Sequence, residues 1–267
     1  MEMKREAVSE SIGYLIIFGL VLTGIGLITL YGYPLLMQQQ SSANMRNMEQ
    51  TMIVLQNDIK SLTYKLANYK ETSLRVSGGT LSLYGPAYTL QNFNIKTADN
   101  SVDYNFHPGE LRYYSTADNT VISLENGAVI EKPLATTGSF MLADPRWYID
   151  TSSGTLVINL MNVSTAPGTD QLLSQTGVGT VRMRLASANM TSGITPGTVT
   201  ITYTPDYKNI TPEGYGLAWK TYLTNPSNFD GGMSCTGDPL VHDPLVCTKG
   251  GIQNLIIKEY DIVVETL

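Results

Sequence analysis

The feature that most constrains this chain is a run of 25 residues without a formal charge, Ile12 to Leu36. Fourteen of these positions are Ile, Leu, Val or Phe, which contribute roughly −4 to −8 kcal/mol toward membrane residence on the biological insertion scale. As a helix rising about 1.5 Å per residue, the run is about 37 Å long and crosses a hydrocarbon core of about 30 Å with some tilt. The sequence therefore predicts a membrane-spanning helix at about residues 12–36.

This run is too long for an ordinary secretory signal peptide, whose apolar core has roughly 7 to 15 residues and precedes a cleavage site of small residues. The polar segment Gln38-Gln39-Gln40-Ser41-Ser42 follows the run and contains no such site. The processing point that the sequence suggests lies in front of the run, between Ala7 and Val8, after a leader of residues 1–7. Cleavage there leaves the apolar helix on the mature protein.

Positive charges predict the orientation of the span. Lys4 and Arg5 lie immediately before it, whereas the first cation after it is Arg46. Because Lys and Arg are retained on the cytoplasmic side, the N-terminus is predicted to be cytoplasmic and the rest of the chain to lie outside the cell.

Two further features fit an outside location. Asn162, Asn189 and Asn209 each begin an Asn-x-Ser/Thr tripeptide, the form of an N-glycosylation acceptor, although such tripeptides also occur by chance. The two cysteines, Cys235 and Cys247, lie close together in a Gly- and Pro-rich loop. In an oxidising compartment this pair predicts one disulfide.

A helical pattern continues beyond the span. Apolar residues recur at steps of three and four, with charged residues between them. They are Met45, Met48, Met52, Leu55, Ile59, Leu62, Leu66 and Tyr69. We therefore predict one long helix over residues 8–72, first apolar and then amphipathic. Its apolar stripe packs on the protein's own globular part or serves neighbouring molecules, and one helix can do both.

After Glu71 the composition changes to short runs rich in Thr, Val, Ile, Leu and Tyr, separated by Gly, Asn, Asp and Pro. This predicts a β-rich domain over residues 73–267, with an antiparallel, sandwich-like arrangement, and an α+β fold class for the whole chain. Gly78-Gly79 predicts a hairpin turn. Pro212 to Leu223 is predicted to be a short helix.

Charge and motifs exclude several function classes. The net charge is −6, with eleven basic and seventeen acidic residues after residue 72, so no basic face for nucleic acid is predicted. The sequence contains no phosphate-binding glycine loop, nucleophile elbow or zinc-protease motif. We expect no catalytic residues and no cofactor, and therefore not an enzyme.

Metal binding is also not expected. His107 precedes a Pro-Gly turn, and His242 lies between the two cysteines with a spacing that matches no standard zinc pattern. Asp230, Asp238 and Asp243 lack the regular spacing of a calcium loop, so a calcium site there is the lesser alternative. Trp147 and Trp219 fit a core better than a sugar-stacking platform.

The N-terminal motif resembles that of a known family. Lys4-Arg5, Glu6-Ala7 before Val8-Ser9, Gly13 and the long apolar run resemble the class III signal peptide and N-terminal helix of archaeal type IV pilins and pilin-like proteins. The resemblance implies that a prepilin peptidase cleaves after Ala7 and that Val8 becomes the first residue. It also implies a long helix followed by a β-rich domain.

The same resemblance leaves the role of Glu10 open. Bacterial pilins carry a glutamate at the fifth mature position, which pairs with a neighbour's N-terminal amine, whereas Glu10 here is the third. Glu10 makes the equivalent contact or stabilises the positive end of its helix. Glycines in the apolar run would allow close approach of neighbouring helices in a filament. They are Gly13, Gly19, Gly24, Gly26 and Gly32.

The function expected from these features is a structural subunit of an extracellular, pilus-like filament that polymerises with copies of itself through the apolar helix. Its β domain is expected to be surface-exposed and glycosylated, and to serve adhesion. Its other partners are the prepilin peptidase, the pilus assembly machinery and, before assembly, the membrane. The alternative is a single-pass membrane-anchored surface binding protein that does not polymerise.

Overall fold

The computed structural model describes residues 3–65, 67–169, 172–194, 197–206, 214–238 and 243–267, without the side chains of residues 3–11 and 193–194. The chain divides into two compact units, Met1–Asn44 and Met45–Leu267. The first unit is helical. The second contains fourteen described strands, a short helix and the later part of a long helix.

The N-terminal helical part is built from three elements. They are α1 (Met3–Leu27), a π-helical turn (Ile28–Gly32) and α2 (Tyr33–Lys65). The prediction of helix up to residue 72 is wrong at its end, because β1 begins at Lys70. Tyr69, the last position of the predicted stripe, is exposed and lies outside the helix, while Leu66 lies outside the described residues.

The strands form two sheets. In chain order they are β1 (Lys70–Tyr84), β2 (Asn92–Thr97), β3 (Asp103–Phe106), β4 (Glu110–Ser115), β5 (Thr120–Glu125), β6 (Ala128–Pro133), β7 (Phe140–Ala143), β8 (Tyr148–Asp150), β9 (Thr155–Thr165), β10 (Leu172–Ile194), β11 (Gly197–Thr204), β12 (Ser234–Thr236), β13 (Leu245–Ile252) and β14 (Asn254–Thr266). The nine-stranded sheet has the order β7-β6-β5-β4-β1-β10-β14-β9-β8, and the five-stranded sheet the order β12-β13-β11-β2-β3. The α+β class and the β-rich domain after a long apolar helix are confirmed.

The larger sheet is mixed rather than antiparallel. β14 lies between β9 and β10, pairs antiparallel with β10 and pairs parallel with β9, Asn254 opposite Thr155. A C-terminal strand inserted between two earlier neighbours has no sequence signature, because each local run has the same alternating pattern whichever way its partner runs.

The predicted hairpin at Gly78-Gly79 is wrong. β1 continues through these glycines as one strand, and its pairing with β10 shifts register between Val76 and Leu81. Gly78 has a positive φ of 74°, and a Cβ on Gly79 would lie 2.1 Å from the carbonyl oxygen of Tyr114. Gly78 therefore lies at an irregularity within the strand, and Gly79 allows a close approach of two backbones. Neither glycine reverses the chain direction.

The amphipathic part of α2 packs against the nine-stranded sheet. Six of its stripe residues, Met45 to Leu62, are at most 8% exposed and join one core cluster with Leu81, Leu111 and Ile122. The interpretation that the stripe packs on the protein's own globular part is confirmed. The compact unit therefore starts at Met45, and not at residue 73 as the composition suggested.

A second core cluster joins the two sheets and α3 (Gly216–Thr224). Neighbouring residues such as Val121 and Ile122 belong to different clusters, because successive side chains of a strand point to opposite faces. The nine-stranded sheet is thus buried on both faces in this region. The helix predicted from Pro212 begins at Gly216, while Pro212 itself lies outside the described residues.

Candidate functional site

The first candidate site is the apolar helical surface from Ile12 to Leu36. Its large apolar side chains are exposed in the structure, with Leu20 and Ile28 both 71% exposed. One helix of the described chain, over Ile12–Lys65, is long and apolar enough to cross a membrane, and none of its most apolar window is buried. Such a surface is stable only when lipid or other helices cover it. An N-terminal helix of this kind could anchor the protein in a membrane.

The helical backbone within this surface continues through Pro34. The turn before the proline is π-helical, and the Tyr33 N–H donates to the Ile28 carbonyl. A proline ring collides with the carbonyl four residues earlier, which here is that of Leu30. The wider π turn accommodates this collision without ending the helix. Two threonine hydroxyls, Thr23 and Thr29, donate to carbonyls four residues before them, so they add no unpaired polar group.

The glycines of the run have no packing role inside the chain. A Cβ added at Gly13, Gly19, Gly24 or Gly26 would meet nothing within 4 Å, and one at Gly32 would make an ordinary contact of 3.6 Å with Ile28. Nothing in the chain itself therefore requires glycine at the first four positions. Each of them exposes helix backbone that a partner helix can approach closely.

The predicted cleavage site lies in α1, the helix in which the apolar surface begins. Ala7, Val8 and Glu10 lie within α1, and their side chains lie outside the described part. Cleavage after Ala7 and the role of Glu10 stay predictions.

The predicted glycosylation sites differ in accessibility. The half-buried Asn162 accepts from the Gly109 N–H at 3.0 Å and donates its Nδ2 to Asp261 at 3.0 Å. A glycan on that nitrogen would have to fit beside the Asp261 carboxylate in a half-buried position. Asn189 lies exposed on β10, and Asn209 lies outside the described residues. Among the described sites, Asn189 is therefore the better acceptor.

The predicted disulfide is confirmed. Cys235 on β12 and Cys247 on β13 are directly opposite each other in register, with their Cα atoms 4.0 Å apart and their sulfurs bonded. β12 has only three residues, so the bond holds a short edge strand against its neighbour. Among the described residues no group of three His, Cys, Asp or Glu side chains could hold a metal ion; His242 lies outside them.

Reduction of this disulfide is expected to lower the free energy of unfolding by about 3 kcal/mol, because it releases a short closed loop in the unfolded chain. Urea unfolding with and without a thiol reductant measures the difference. A midpoint that the reductant leaves unchanged, with reduction verified by thiol labelling, would contradict this expectation.

A second candidate site, which the sequence analysis did not identify, is a buried cluster that we call the glutamate network. Its members are Glu110, Arg112, Glu125, Tyr203, Tyr215 and Trp219. Arg112 donates two hydrogen bonds to the Glu110 carboxylate, at 2.8 and 2.5 Å. The Tyr215 hydroxyl donates to the same carboxylate at 2.5 Å. The ion pair is therefore bidentate and almost fully removed from water.

Glu125 forms the other half of the network. Its carboxyl accepts from the Trp219 indole N–H at 3.1 Å and from the Tyr203 hydroxyl at 3.4 Å. Burial, and then the charge of Glu110, raise the pKa of Glu125 well above its ordinary value. Burial likewise raises the pKa of Tyr203, with the charge of Glu125 as the next cause. Burial therefore favours the protonated, uncharged form of the Glu125 carboxyl.

Both carboxyls are fully buried, so the network links strands and α3 and does not present a reactive group to a substrate. A sequence signal was available, because Glu110 and Arg112 are two positions apart on β4 and so point to one face. The adjacent aromatic residues agree with the core interpretation: Trp147 and Trp219 are buried, with ring centroids 5.3 Å apart.

Comparison with known proteins gives one match. A model described as a family of unknown function, DUF7289, matches residues 6–265, which includes both the apolar helix and the β-rich unit. No curated protein and no solved structure matches the chain. This chain is a member of the family of unknown function DUF7289.

Proposed function

We propose that this protein is a structural subunit, a pilin, of an archaeal type IV pilus-like extracellular filament. The observation that carries the proposal is the charge-free helical surface from Ile12 to Leu36, exposed along its length and preceded by the motif Glu6-Ala7-Val8. Cleavage after Ala7 removes the leader that contains Lys4 and Arg5 and keeps this surface on the mature protein. It then serves as the polymerisation surface.

Assembly exchanges lipid contact for helix contact. Before assembly the helix spans the membrane with the N-terminus in the cytoplasm. In the filament, copies of the helix pack against one another, and Gly13, Gly19, Gly24 and Gly26 permit close backbone approach because no side chain of their own chain fills the space. Head-to-tail contacts that do not close generate an open helical polymer.

The β-rich unit then lies outside the cell and coats the filament. We infer a sandwich-like arrangement of its two sheets, since side chains from both share one core cluster. The disulfide suits an oxidising exterior. Asn189 is the described position that we assign to a glycan, and the acidic surface of the unit serves adhesion.

The second candidate is a non-polymerising surface protein anchored by the same helix. It is favoured by the observation that a single span is sufficient for anchoring. This candidate requires no cleavage after Ala7, whereas the filament subunit does. The N-terminal residue of the mature protein therefore distinguishes the two candidates.

Mass spectrometry of protein from sheared surface filaments tests the proposal. We expect a mature N-terminus at Val8, and we expect Ala7→Leu to abolish both processing and fibres, because a bulky side chain does not fit a peptidase site that accepts a small residue.

Ala7→Gly is the matched control, since it keeps a small residue at the same place and is expected to give normal fibres. Normal fibres from Ala7→Leu, or mature protein that retains Met1 as isolated membrane-embedded monomers, would overturn the proposal.

A further inference from the structure

A cavity of about 490 Å³ lies between the last turns of α2 and the segment that follows β7. We call it the basic pocket. Its polar lining is Asn57, Lys60, Ser61, Tyr64, Lys65 and Arg146. All of these residues belong to the unit that starts at Met45. The pocket is therefore formed by the packing of α2 on the β-rich part and is separate from the membrane-spanning segment.

The lining of the pocket is rich in basic side chains. Lys60, Lys65 and Arg146 line it, and the carboxylate of Asp144 lies near Lys60. Burial lowers the pKa of Lys60, Asp144 raises it, and the positive charge of Arg146 lowers it again. Lys60 is held in place by donating its Nζ to the Asp144 backbone carbonyl at 3.3 Å. Three basic side chains thus line one cavity of a chain whose net charge is −6.

An unpaired hydroxyl lies in the same pocket. The Tyr64 hydroxyl is buried and makes no hydrogen bond of normal geometry to the residues that the structure describes, although the neighbouring Thr63 side chain lowers its pKa. Its ring is held by the Arg146 guanidinium, 4.6 Å from the ring centroid, and by the edge of Tyr260. Because burial raises the pKa of Tyr64, the hydroxyl keeps its proton and can donate. A buried donor without an acceptor is costly, and a ligand oxygen would satisfy it.

We infer that the basic pocket binds a dianionic tetrahedral oxyanion, namely a phosphate or sulfate group. The three basic side chains of the lining favour a multiply charged anion over a neutral ligand. The Arg146 guanidinium, the two lysine ammonium groups and the Tyr64 hydroxyl supply donors for several oxygens of one group. Asn57 and Ser61 add neutral donors to the lining. The inference is independent of filament assembly, because the pocket contains no residue of the apolar surface.

Equilibrium dialysis of the full chain in neutral detergent against radiolabelled inorganic phosphate, at low ionic strength, tests the assignment. We expect saturable binding of one phosphate per chain. Arg146→Gln and Lys60→Gln are each expected to weaken it about tenfold, because each removes a charge-assisted hydrogen bond. Tyr64→Phe, which keeps the ring beneath Arg146, is expected to weaken binding about threefold through loss of one neutral donor.

Lys96→Gln is the matched control, because it changes the net charge equally at an exposed lysine paired with Asp103 outside the pocket. Its binding is expected to equal that of the unmodified protein. Equal losses for Lys96→Gln and Arg146→Gln, in variants with unchanged circular dichroism, would show a nonspecific charge effect and overturn the inference, as would the absence of saturable binding.

Competition identifies the chemistry of the bound group. Sulfate is expected to displace the labelled phosphate, whereas acetate at equal concentration is not, and displacement by acetate would overturn the assignment to a dianion. Displacement by glycerol phosphate would assign the site to a phosphate ester carried on a larger molecule. Displacement by inorganic phosphate and sulfate alone would assign it to the free ion.

Discussion

A chain truncated to residues 45–267 is expected to fold as a soluble unit with cooperative unfolding, whereas a chain of residues 73–267 is not expected to fold. The first retains the six buried stripe residues of α2, Met45 to Leu62, and the second removes all of them. Burial of such side chains contributes about 1.5–3 kcal/mol each, or roughly 9–18 kcal/mol together. This is as large as the whole stability of about 5–15 kcal/mol that a typical domain possesses.

The measurement is urea unfolding followed by near-UV circular dichroism, with size-exclusion chromatography to detect aggregation. Removal of α2 would also expose the sheet residues that it covers, Leu81, Leu111 and Ile122 among them. We therefore expect the shorter chain to aggregate or to lack near-UV signal. A cooperative transition with the same midpoint in both chains would contradict the assignment of α2 to the core.

Two neighbouring residues of α2 provide a matched pair of substitutions. Leu55 is fully buried, whereas Val54 is 47% exposed. Leu55→Ala is expected to cost about 2–5 kcal/mol through lost burial and a cavity. Val54→Ala on the same turn is expected to change stability by about 0.5 kcal/mol or less. Similar costs at both positions would show that the helix is not packed as described.

The second large effect is expected at the buried ion pair. Glu110→Gln is expected to lower the free energy of unfolding by about 3–5 kcal/mol, because it leaves the buried Arg112 charge without the Glu110 carboxylate. The matched control is Glu71→Gln, which breaks the exposed pair with Arg182 and is expected to cost about 1 kcal/mol or less. Urea unfolding of both variants tests the difference, and equal costs would contradict it.

The pH dependence of stability gives a second readout of the same substitution. Because the folded-state pKa of Glu125 lies well above its ordinary value of 4.5, the unfolded chain releases this proton first as pH rises. The contribution of protonated Glu125 to stability is complete below pH 4.5 and is lost as the pH rises through the folded-state pKa of Glu125. Glu110→Gln removes one cause of the raised pKa, so the fall in stability is expected to span a narrower pH range. An unchanged profile would contradict the coupling of the two carboxyls.

The sequence was informative where a local pattern has one physical interpretation. A charge-free run as long as Ile12 to Leu36 predicts an exposed apolar helix regardless of the remaining fold. The methionine and leucine stripe of α2 predicts its buried face, because helical periodicity places those side chains together. The cysteine pair predicts its disulfide, because the chain contains no other cysteine.

The sequence was misleading where the same local signal serves two structures. Glycines at 78 and 79 suit a hairpin turn and equally a strand irregularity, and only the pairing of β1 with β4 and β10 selects the second. The change in composition at residue 73 marks the start of strands, but it does not mark the start of the compact unit. Domain boundaries follow long-range packing, which composition does not record.

The sequence by itself determined the apolar helix, the amphipathic stripe that follows it, the β-rich composition and the disulfide, because each depends on residues that are near one another in the chain. Only the tertiary structure decided the insertion of β14 between β9 and β10, the pairing of Glu125 with Trp219 and the position of Arg146 beside α2 in the basic pocket. These features join residues distant along the chain, so their energies depend on the packing of sheets and helices and have no local pattern from which they could be predicted.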